Sequence, residues 1–173
     1  MSSVEQLIEK ARIAQQVYEN YDQGAVDEVV TAVAWALIEP GRNRELSQMA
    51  VETTGLGKIE DKILKNERKT LGLLRDLRGA KSVGVISEDE ELEITEIARP
   101  VGVVAAVTPS TNPVATPTNN TLNALKGRNA IIIAPSPAGE KVCSRLLQYF
   151  HEELRRIGAP VDLIQQLSSP VDK

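Results

Sequence analysis

Cysteine, histidine and aromatic residues are scarce in this sequence. Its 173 residues include one cysteine and one histidine, and aromatic residues make up 3% of the chain. One cysteine cannot form an intrachain disulfide, and together with one histidine it cannot form a metal cluster, so we expect no metal site. The shortage of aromatic rings also argues against a surface that stacks on nucleic-acid bases or on sugars.

Long apolar runs and clusters of basic residues are also missing. No run approaches the roughly 20 apolar residues that cross a membrane, and the amphipathic residues 1–16 include acidic side chains, unlike a targeting peptide. The net charge is -4, from 20 lysines and arginines against 24 aspartates and glutamates. Basic and acidic residues are interspersed along the sequence, whereas a protein that binds nucleic acid has a clustered basic face. We therefore expect a cytoplasmic protein that binds neither membranes nor nucleic acid.

The first half of the chain has the apolar spacing of helices. Apolar residues make up 42% and charged residues 25%, which is typical of a globular domain. Apolar residues recur every three or four positions, and glycine or proline follows the later stretches, where a helix is expected to end. The pattern predicts four helices, at residues 4–21, 26–37, 43–54 and 58–78.

The spacing changes at Ser82 from helical to extended. Two stretches rich in β-branched residues, 82–87 and 92–98, flank the acidic sequence EDEE, and this pattern predicts a β-hairpin. Two short apolar stretches, 102–107 and 130–135, then alternate with polar helical sequence. Alternation of this kind predicts a parallel sheet.

The last part of the chain predicts a further helix and a further strand. An apolar stripe predicts a helix over 138–157, and a third strand is expected over 161–167. The fold class is therefore α/β, with an N-terminal helical layer and a β-hairpin followed by the first β-α-β-α-β of a doubly wound parallel sheet. We expect three segments: a helical segment at 1–80, the hairpin at 81–100 and the first part of a Rossmann-like domain at 101–173.

The sequence VTPSTNP, residues 107–113, directly follows the first parallel strand. Open sheets bind ligands outside the carboxyl ends of their strands, and this sequence is at such an end. Two prolines stiffen the turn, while Ser110, Thr111 and Asn112 offer short donors and acceptors. The same residue types also cap helices, so a helix N-cap with turn residues is the simpler interpretation of the residues alone. The second strand ends in APSPAG, residues 134–139, which would form the neighbouring wall of a crevice.

Three longer stretches resemble one protein family. They are AVETTGLGKIEDKILKN at 50–66, EIARPVGVVAAVTPSTNP at 96–113 and LNALKGRNAIIIAPSPAGEK at 122–141. Together they resemble the N-terminal part of the cofactor domain of the aldehyde dehydrogenase superfamily. PSTNP stands where hydrolytic members have proline, an aromatic residue, asparagine, an aromatic residue and proline. In this respect the chain is similar to the coenzyme A-acylating branch, the acetaldehyde and sulfoacetaldehyde dehydrogenases.

The resemblance implies an activity. In that family a cysteine thiolate attacks the aldehyde, hydride passes to NAD or NADP, and the thioester is transferred to coenzyme A. We therefore expect an acylating aldehyde dehydrogenase that acts on a small aldehyde such as sulfoacetaldehyde or acetaldehyde. The alternatives are a glutamyl-phosphate reductase-like enzyme, which shares the scaffold and reduces an acyl phosphate, and a non-catalytic assembly or binding fragment.

The hairpin favours a homo-oligomer, because its edge strands can pair with another subunit.

The resemblance also implies that the chain is truncated. Family members are much longer, and their nucleophilic cysteine and the glycine-rich helix start that holds the cofactor pyrophosphate lie beyond Lys173. The isolated chain is therefore expected to be inactive. Cys143 is interpreted as a buried apolar residue, and His151 as a residue that is solvated or that complements the helix dipole.

Residue roles follow from aligning the two prolines of PSTNP without a gap. Thr111 then stands where hydrolytic members have the amide that donates to the oxyanion, and Asn112 stands one position later. An amide is the better donor to a developing oxyanion, so both are candidate catalytic residues and Asn112 is favoured. The family's ribose-binding lysine aligns with Ala134, which leaves the choice between NAD and NADP open. Cofactor-binding roles are implied for Thr108, Pro109 and Ser110 on the nicotinamide and ribose side, and for Ser136 and Pro137 on the adenosine side.

Overall fold

Four helices form the first half of the structure, a computed structural model that describes residues 3–167. All four predicted helices are present, and the first ends about one turn earlier than predicted. Among the helices of residues 3–167, none is long and apolar enough to cross a membrane. The four are α1 (Ser3–Tyr18), α2 (Gln23–Ile38), α3 (Pro40–Thr54) and α4 (Ile59–Leu77).

The third helix begins earlier than predicted, at Pro40. A proline at the first helical position costs no hydrogen bond, because the N–H that it lacks would have no partner within the helix. The Glu39 carboxylate caps this helix by accepting from the backbone N–H groups of Gly41 and Arg42, at 3.0 and 2.7 Å. The EPG sequence therefore ends α2, as predicted, and also starts α3.

A two-stranded antiparallel hairpin follows, formed by β1 (Gly84–Asp89) and β2 (Ile94–Ala98). The predicted hairpin is confirmed. The carboxylate of Asp89 closes the turn by accepting from the N–H groups of Glu91 and Leu92, at 3.0 and 2.9 Å. Nearly all side chains of both strands are exposed, so the hairpin projects from the rest of the described chain.

Three parallel strands form the second half of the chain, in the order β3-β4-β5. The predicted parallel sheet and the α/β fold class are confirmed. The third strand is shorter than predicted, because residues 161–163 form a 3-10 turn instead of extended chain. The elements are β3 (Val103–Thr108), α5 (Ala115–Lys126), β4 (Ala130–Pro135), α6 (Glu140–Arg156) and β5 (Ile164–Gln166).

One continuous core joins the helices to the sheet. β4 lies between the other two strands, and its first four residues are buried. Both crossovers advance in the same direction, so right-handed connections place α5 and α6 on one face of the sheet. α1 packs on the other face, mainly against β4. α2 packs in turn on α5 and α6. The segments 1–80 and 101–173 therefore share a core; residues 168–173 lie outside the described residues.

The turn between α5 and β4 fixes the start of β3. Arg128 adopts a positive φ of 58° and donates a hydrogen bond to the carbonyl oxygen of Glu19, at 2.7 Å. The Oδ1 of Asn129 accepts from the N–H groups of Val101 and Gly102, at 2.7 and 2.9 Å. The two bonds of Asn129 hold the residues that lead into β3. The position of β3 in turn sets the position of the loop at its carboxyl end.

Candidate functional site

The loops at the carboxyl ends of β3 and β4 lie against each other. The N–H of Ser136 donates to the carbonyl oxygen of Thr108, at 3.0 Å. A Cβ atom at Gly139 would lie 3.0 Å from the Cβ of Pro113 and 3.1 Å from the Oγ of Ser136, which is closer than side chains normally approach. The two walls that the sequence predicted are therefore brought together, and a glycine allows their close approach.

The polar residues of the β3 loop do not cap the helix that follows. The N-cap residue of α5 is Val114, which offers no side-chain acceptor, and Pro117 in the first turn has no N–H to satisfy. The hydroxyl groups of Ser110 and Thr111 make no hydrogen bond to any residue that the structure describes. The N-cap interpretation of PSTNP is therefore wrong, and these hydroxyls remain available to a ligand.

Asn112 is held in place by a lysine from α4. The ammonium group of Lys65 donates a hydrogen bond to the Oδ1 of Asn112. Because an ammonium group can only donate, the amide oxygen must face α4. The Nδ2 group of Asn112 has no acceptor among the described residues and can donate to a ligand. Asn112 is half-buried, whereas Thr111 is exposed. Of the two candidate oxyanion donors, Asn112 is the one that is fixed in orientation.

A cavity of about 250 Å³ lies between α4 and α5, beside Asn112. Its lining contains two lysines and no acidic residue. The Oδ1 of Asn119, on the α5 side, is buried and has no hydrogen-bond partner among the described residues. The lining residues are Lys65, Lys69, Asn112, Ala115, Thr116, Asn119 and Asn120.

Lys62 lies on the same helix and shares a smaller recess with Lys65 and Asn112. The Lys62 side chain is buried. Burial lowers its pKa, and the neighbouring charge of Lys65 lowers it further. The positive charges of α4 are therefore close enough to repel each other at this site.

The five residues predicted to bind the cofactor lie on these two loops. Thr108 is the buried last residue of β3, and Pro109 and Ser110 follow it at the surface. Ser136 follows β4, and its Oγ is buried without a partner among the described residues. Pro137 is exposed and begins a 3-10 turn. A buried hydroxyl with no protein partner fits a polar group of a ligand, so the loop residues are compatible with a bound nucleotide cofactor.

Cys143 and His151 both have structural roles. Cys143 is fully buried in α6, and burial raises the pKa of its thiol to about 12, so it is not a nucleophile at neutral pH. His151 differs from the expectation of a solvated or dipole-complementing residue. Its Nε2 lies 2.7 Å from the carbonyl oxygen of Ile164, so the Nε2–H donates a hydrogen bond to that oxygen and joins α6 to β5.

The lysines of α4 were not identified from the sequence. A signal was present, because Lys62, Lys65 and Lys69 are spaced by three and four residues and so share one face of a helix. The sequence does not show that this face lies against the loop after β3. That arrangement depends on the packing of α4 on α5.

The sequence comparisons place the chain among aldehyde dehydrogenases. Residues 1–172 match the model of the aldehyde dehydrogenase family. The sulfoacetaldehyde dehydrogenase (acylating) of Cupriavidus necator is 56% identical over 171 residues, which cover 99% of this chain and 35% of that protein. The succinate-semialdehyde dehydrogenase (acetylating) of Clostridium kluyveri is 41% identical over 97% of this chain and 37% of that protein. The chain spans about a third of the length of these relatives.

Solved structures share the fold. The acetylating aldehyde dehydrogenase from Geobacillus thermoglucosidasius has a TM-score of 0.91 and 39% identity, over 97% of this chain and 37% of that one. A propionaldehyde dehydrogenase from Rhodopseudomonas palustris, solved with bound coenzyme A and an acylated cysteine, has a TM-score of 0.80 and 26% identity, over 96% of this chain and 37% of that one. The resemblance seen in the sequence motifs is confirmed: the chain belongs to the aldehyde dehydrogenase family.

Proposed function

We propose that this chain supplies the oxyanion donor and part of the cofactor cleft of an acylating aldehyde dehydrogenase. The enzyme oxidises a small aldehyde, such as sulfoacetaldehyde or acetaldehyde, to its acyl-coenzyme A. The observation that carries the proposal is the Asn112 amide, fixed by Lys65 with its donor group free, at the carboxyl end of a parallel strand. The acylating activities named for its relatives support the reaction type.

The role of Asn112 is to stabilise negative charge on the carbonyl oxygen. Attack of a thiolate on an aldehyde turns the carbonyl oxygen into an oxyanion, and the free Nδ2 group can donate a hydrogen bond to it. Lys65 contributes by preventing the amide from turning its oxygen toward the oxyanion. The buried thiol of Cys143 cannot be the attacking group, so the nucleophile must come from outside residues 3–167.

Cofactor binding is proposed for the two loops. NAD or NADP accepts the hydride when bound, and coenzyme A supplies the thiol that releases the acyl group. Thr108, Pro109 and Ser110 line the nicotinamide and ribose side, while Ser136 and Pro137 line the adenosine side. The hydrogen bond between the Ser136 N–H and the Thr108 carbonyl keeps these two sets at one edge of the sheet, which supports the assignment.

An assay of the whole protein that contains this chain tests the reaction type. We expect an aldehyde to reduce NAD or NADP only when coenzyme A is present. A glutamyl-phosphate reductase-like enzyme would instead oxidise the reduced cofactor in the presence of an acyl phosphate, without coenzyme A, and that result would contradict the proposal. The isolated 173-residue chain should be inactive in both assays, because its one cysteine is a buried, protonated thiol.

The hairpin supports an additional role in assembly. Ile94 and Ile97 on β2 are 51% and 53% exposed, whereas the three isoleucines of β4, in the parallel sheet, are buried. Exposed apolar strands with free edges are suited to pairing with another chain. We therefore propose that β1 and β2 contact a second subunit in a homo-oligomer.

A further inference from the structure

Three lysines of α4 form a positively charged surface beside the candidate oxyanion donor. Lys65 and Lys69 line the cavity between α4 and α5, and Lys62 lies in the recess next to it. Spacings of three and four residues place all three on one face of the helix. This face is turned toward Asn112, which accepts a hydrogen bond from Lys65.

The positive charge of this surface is not neutralised within the described chain. None of the ion pairs in residues 3–167 involves Lys62, Lys65 or Lys69, and the cavity has no acidic lining residue. By contrast, the buried Lys126 is paired with Asp27. Lys62 is buried and Lys65 is half-buried, whereas Lys69 is exposed. Neighbouring ammonium groups favour a bound anion, because an anion offsets their repulsion and the loss of water at the two less exposed lysines.

The cavity also offers free hydrogen-bonding groups of the right kind. An ammonium group has three donors, and Lys65 uses one of them on Asn112. The amide oxygen of Asn119 has no partner within residues 3–167, so the amide can rotate to present its NH2 group to a ligand. A volume of about 250 Å³ is below the range of drug-sized pockets and suits a ligand of a few heavy atoms.

We propose that Lys65 and Lys69 bind the acidic substituent of the aldehyde substrate and so select for a short aldehyde that carries a sulfonate or a carboxylate. The inference rests on the proposed function. The carbonyl oxygen of the substrate lies at the Nδ2 of Asn112, and the acidic group, one or a few carbons away, lies between the two ammonium groups. Lys69 is a specificity-determining residue, while Lys65 both positions Asn112 and attracts the substrate.

The test uses the whole protein that contains this chain, with sulfoacetaldehyde and acetaldehyde as substrates. Lys69 is the residue to change, because it makes no hydrogen bond to Asn112. In Lys69→Met we expect the KM for sulfoacetaldehyde to rise about tenfold, the effect of one charge-assisted hydrogen bond, with kcat and the KM for acetaldehyde unchanged. Lys69→Glu should raise the KM for sulfoacetaldehyde further, because it places a negative charge beside the sulfonate.

Arg68→Met is the matched control. Arg68 is an exposed neighbour on α4 that does not line the cavity, so its loss removes the same charge from the same helix. We expect this variant to keep both KM values. Ethanesulfonate provides a measurement without turnover: it should compete with sulfoacetaldehyde in the unaltered protein and compete about tenfold more weakly in Lys69→Met.

Three results would overturn the inference and are distinguishable. Equal losses in Lys69→Met and Arg68→Met would show a general charge effect instead of a subsite. A rise in the KM for coenzyme A, with the KM for sulfoacetaldehyde unchanged, would assign the lysines to the phosphates of coenzyme A. Failure of the unaltered protein to oxidise either aldehyde with coenzyme A would overturn the proposed function itself, and the substrate assignment with it.

Discussion

The ammonium group of Lys65, on α4, donates a hydrogen bond to the Oδ1 of Asn112, in the loop after β3. The bond joins two residues that are 47 positions apart. It fixes the Asn112 amide in one orientation, with the Nδ2 group free to donate. The helical layer therefore contributes directly to the candidate site at the end of the sheet.

Removal of the Lys65 ammonium should lower turnover by releasing this amide. We expect Lys65→Met to reduce kcat for the neutral substrate acetaldehyde about tenfold, the effect of losing one hydrogen bond to a charged group, with little change in KM. Acetaldehyde is chosen because it has no acidic group for Lys65 to bind. Lys65→Arg retains a cationic donor and should restore part of kcat. Equal kcat values in Lys65→Met and the unaltered protein would contradict a positioning role.

The Asn129 side chain should be important for stability. Its Oδ1 accepts two backbone hydrogen bonds at the start of β3, and Asn129→Ala would leave both N–H groups without this partner. We expect Asn129→Ala to lower the free energy of unfolding by about 1–3 kcal/mol, measured by urea denaturation. Asn129→Asp keeps an acceptor oxygen at the same position and should lose less. Similar losses in the two variants would show that the acceptor is not responsible.

The buried thiol of Cys143 should make the fold less stable at alkaline pH. Burial raises its pKa from the ordinary value of 9.0 to about 12. Between pH 9 and 12 the unfolded chain therefore loses a proton that the folded chain keeps, so stability falls as pH rises, by about 1.4 kcal/mol per pH unit. Burial also raises the pKa of Tyr18, so its contribution above pH 10 has the same sign.

Comparison with Cys143→Ala isolates the contribution of the thiol. The Tyr18 phenol is present in both proteins, so it cancels in the difference between them. We expect the unaltered protein to lose about 1.4 kcal/mol more than Cys143→Ala between pH 8 and pH 10. The same loss in both proteins would contradict a buried thiol at this position.

The hairpin should determine the assembly state of the whole protein. Ile97→Glu places a charge on β2 and should shift the protein to smaller species in light scattering, because a charge in an apolar contact between subunits is costly to bury. Ile13→Glu is the control, since Ile13 on α1 is 56% exposed and Ile97 is 53% exposed. A protein that is monomeric without any change, or equal shifts in both variants, would contradict the assembly role of the hairpin.

Local sequence signals predicted most of the fold. The apolar spacing of α2, the change of period at Ser82 and the buried stretch of β4 all depend on neighbouring residues, and all are present in the structure. Two features of the turns were missed. Pro40 starts a helix because the position before it carries a capping carboxylate, and residues 161–163 tighten into a 3-10 turn at the start of the third strand.

The site was predictable only in part. The polar loop at the end of β3 was identified from the rule that ligands bind at strand ends. Its N-cap interpretation was wrong, because Val114 and Pro117 at the start of α5 leave the loop hydroxyls unused. The contribution of α4 depends on tertiary packing, since nothing near Lys65 in the sequence indicates that it contacts Asn112.

Asn112 is proposed to donate to the oxyanion in place of Thr111, and the kcat values of two variants of the whole protein distinguish the two residues. Asn112→Ala should lower kcat about 100- to 1000-fold with little change in KM, because the donor acts in the transition state. Thr111→Val should remain near the kcat of the unaltered protein, and matching thermal unfolding would show that both variants keep the fold. A large loss of kcat in Thr111→Val, with Asn112→Ala nearly unaffected, would instead assign the oxyanion donor to Thr111.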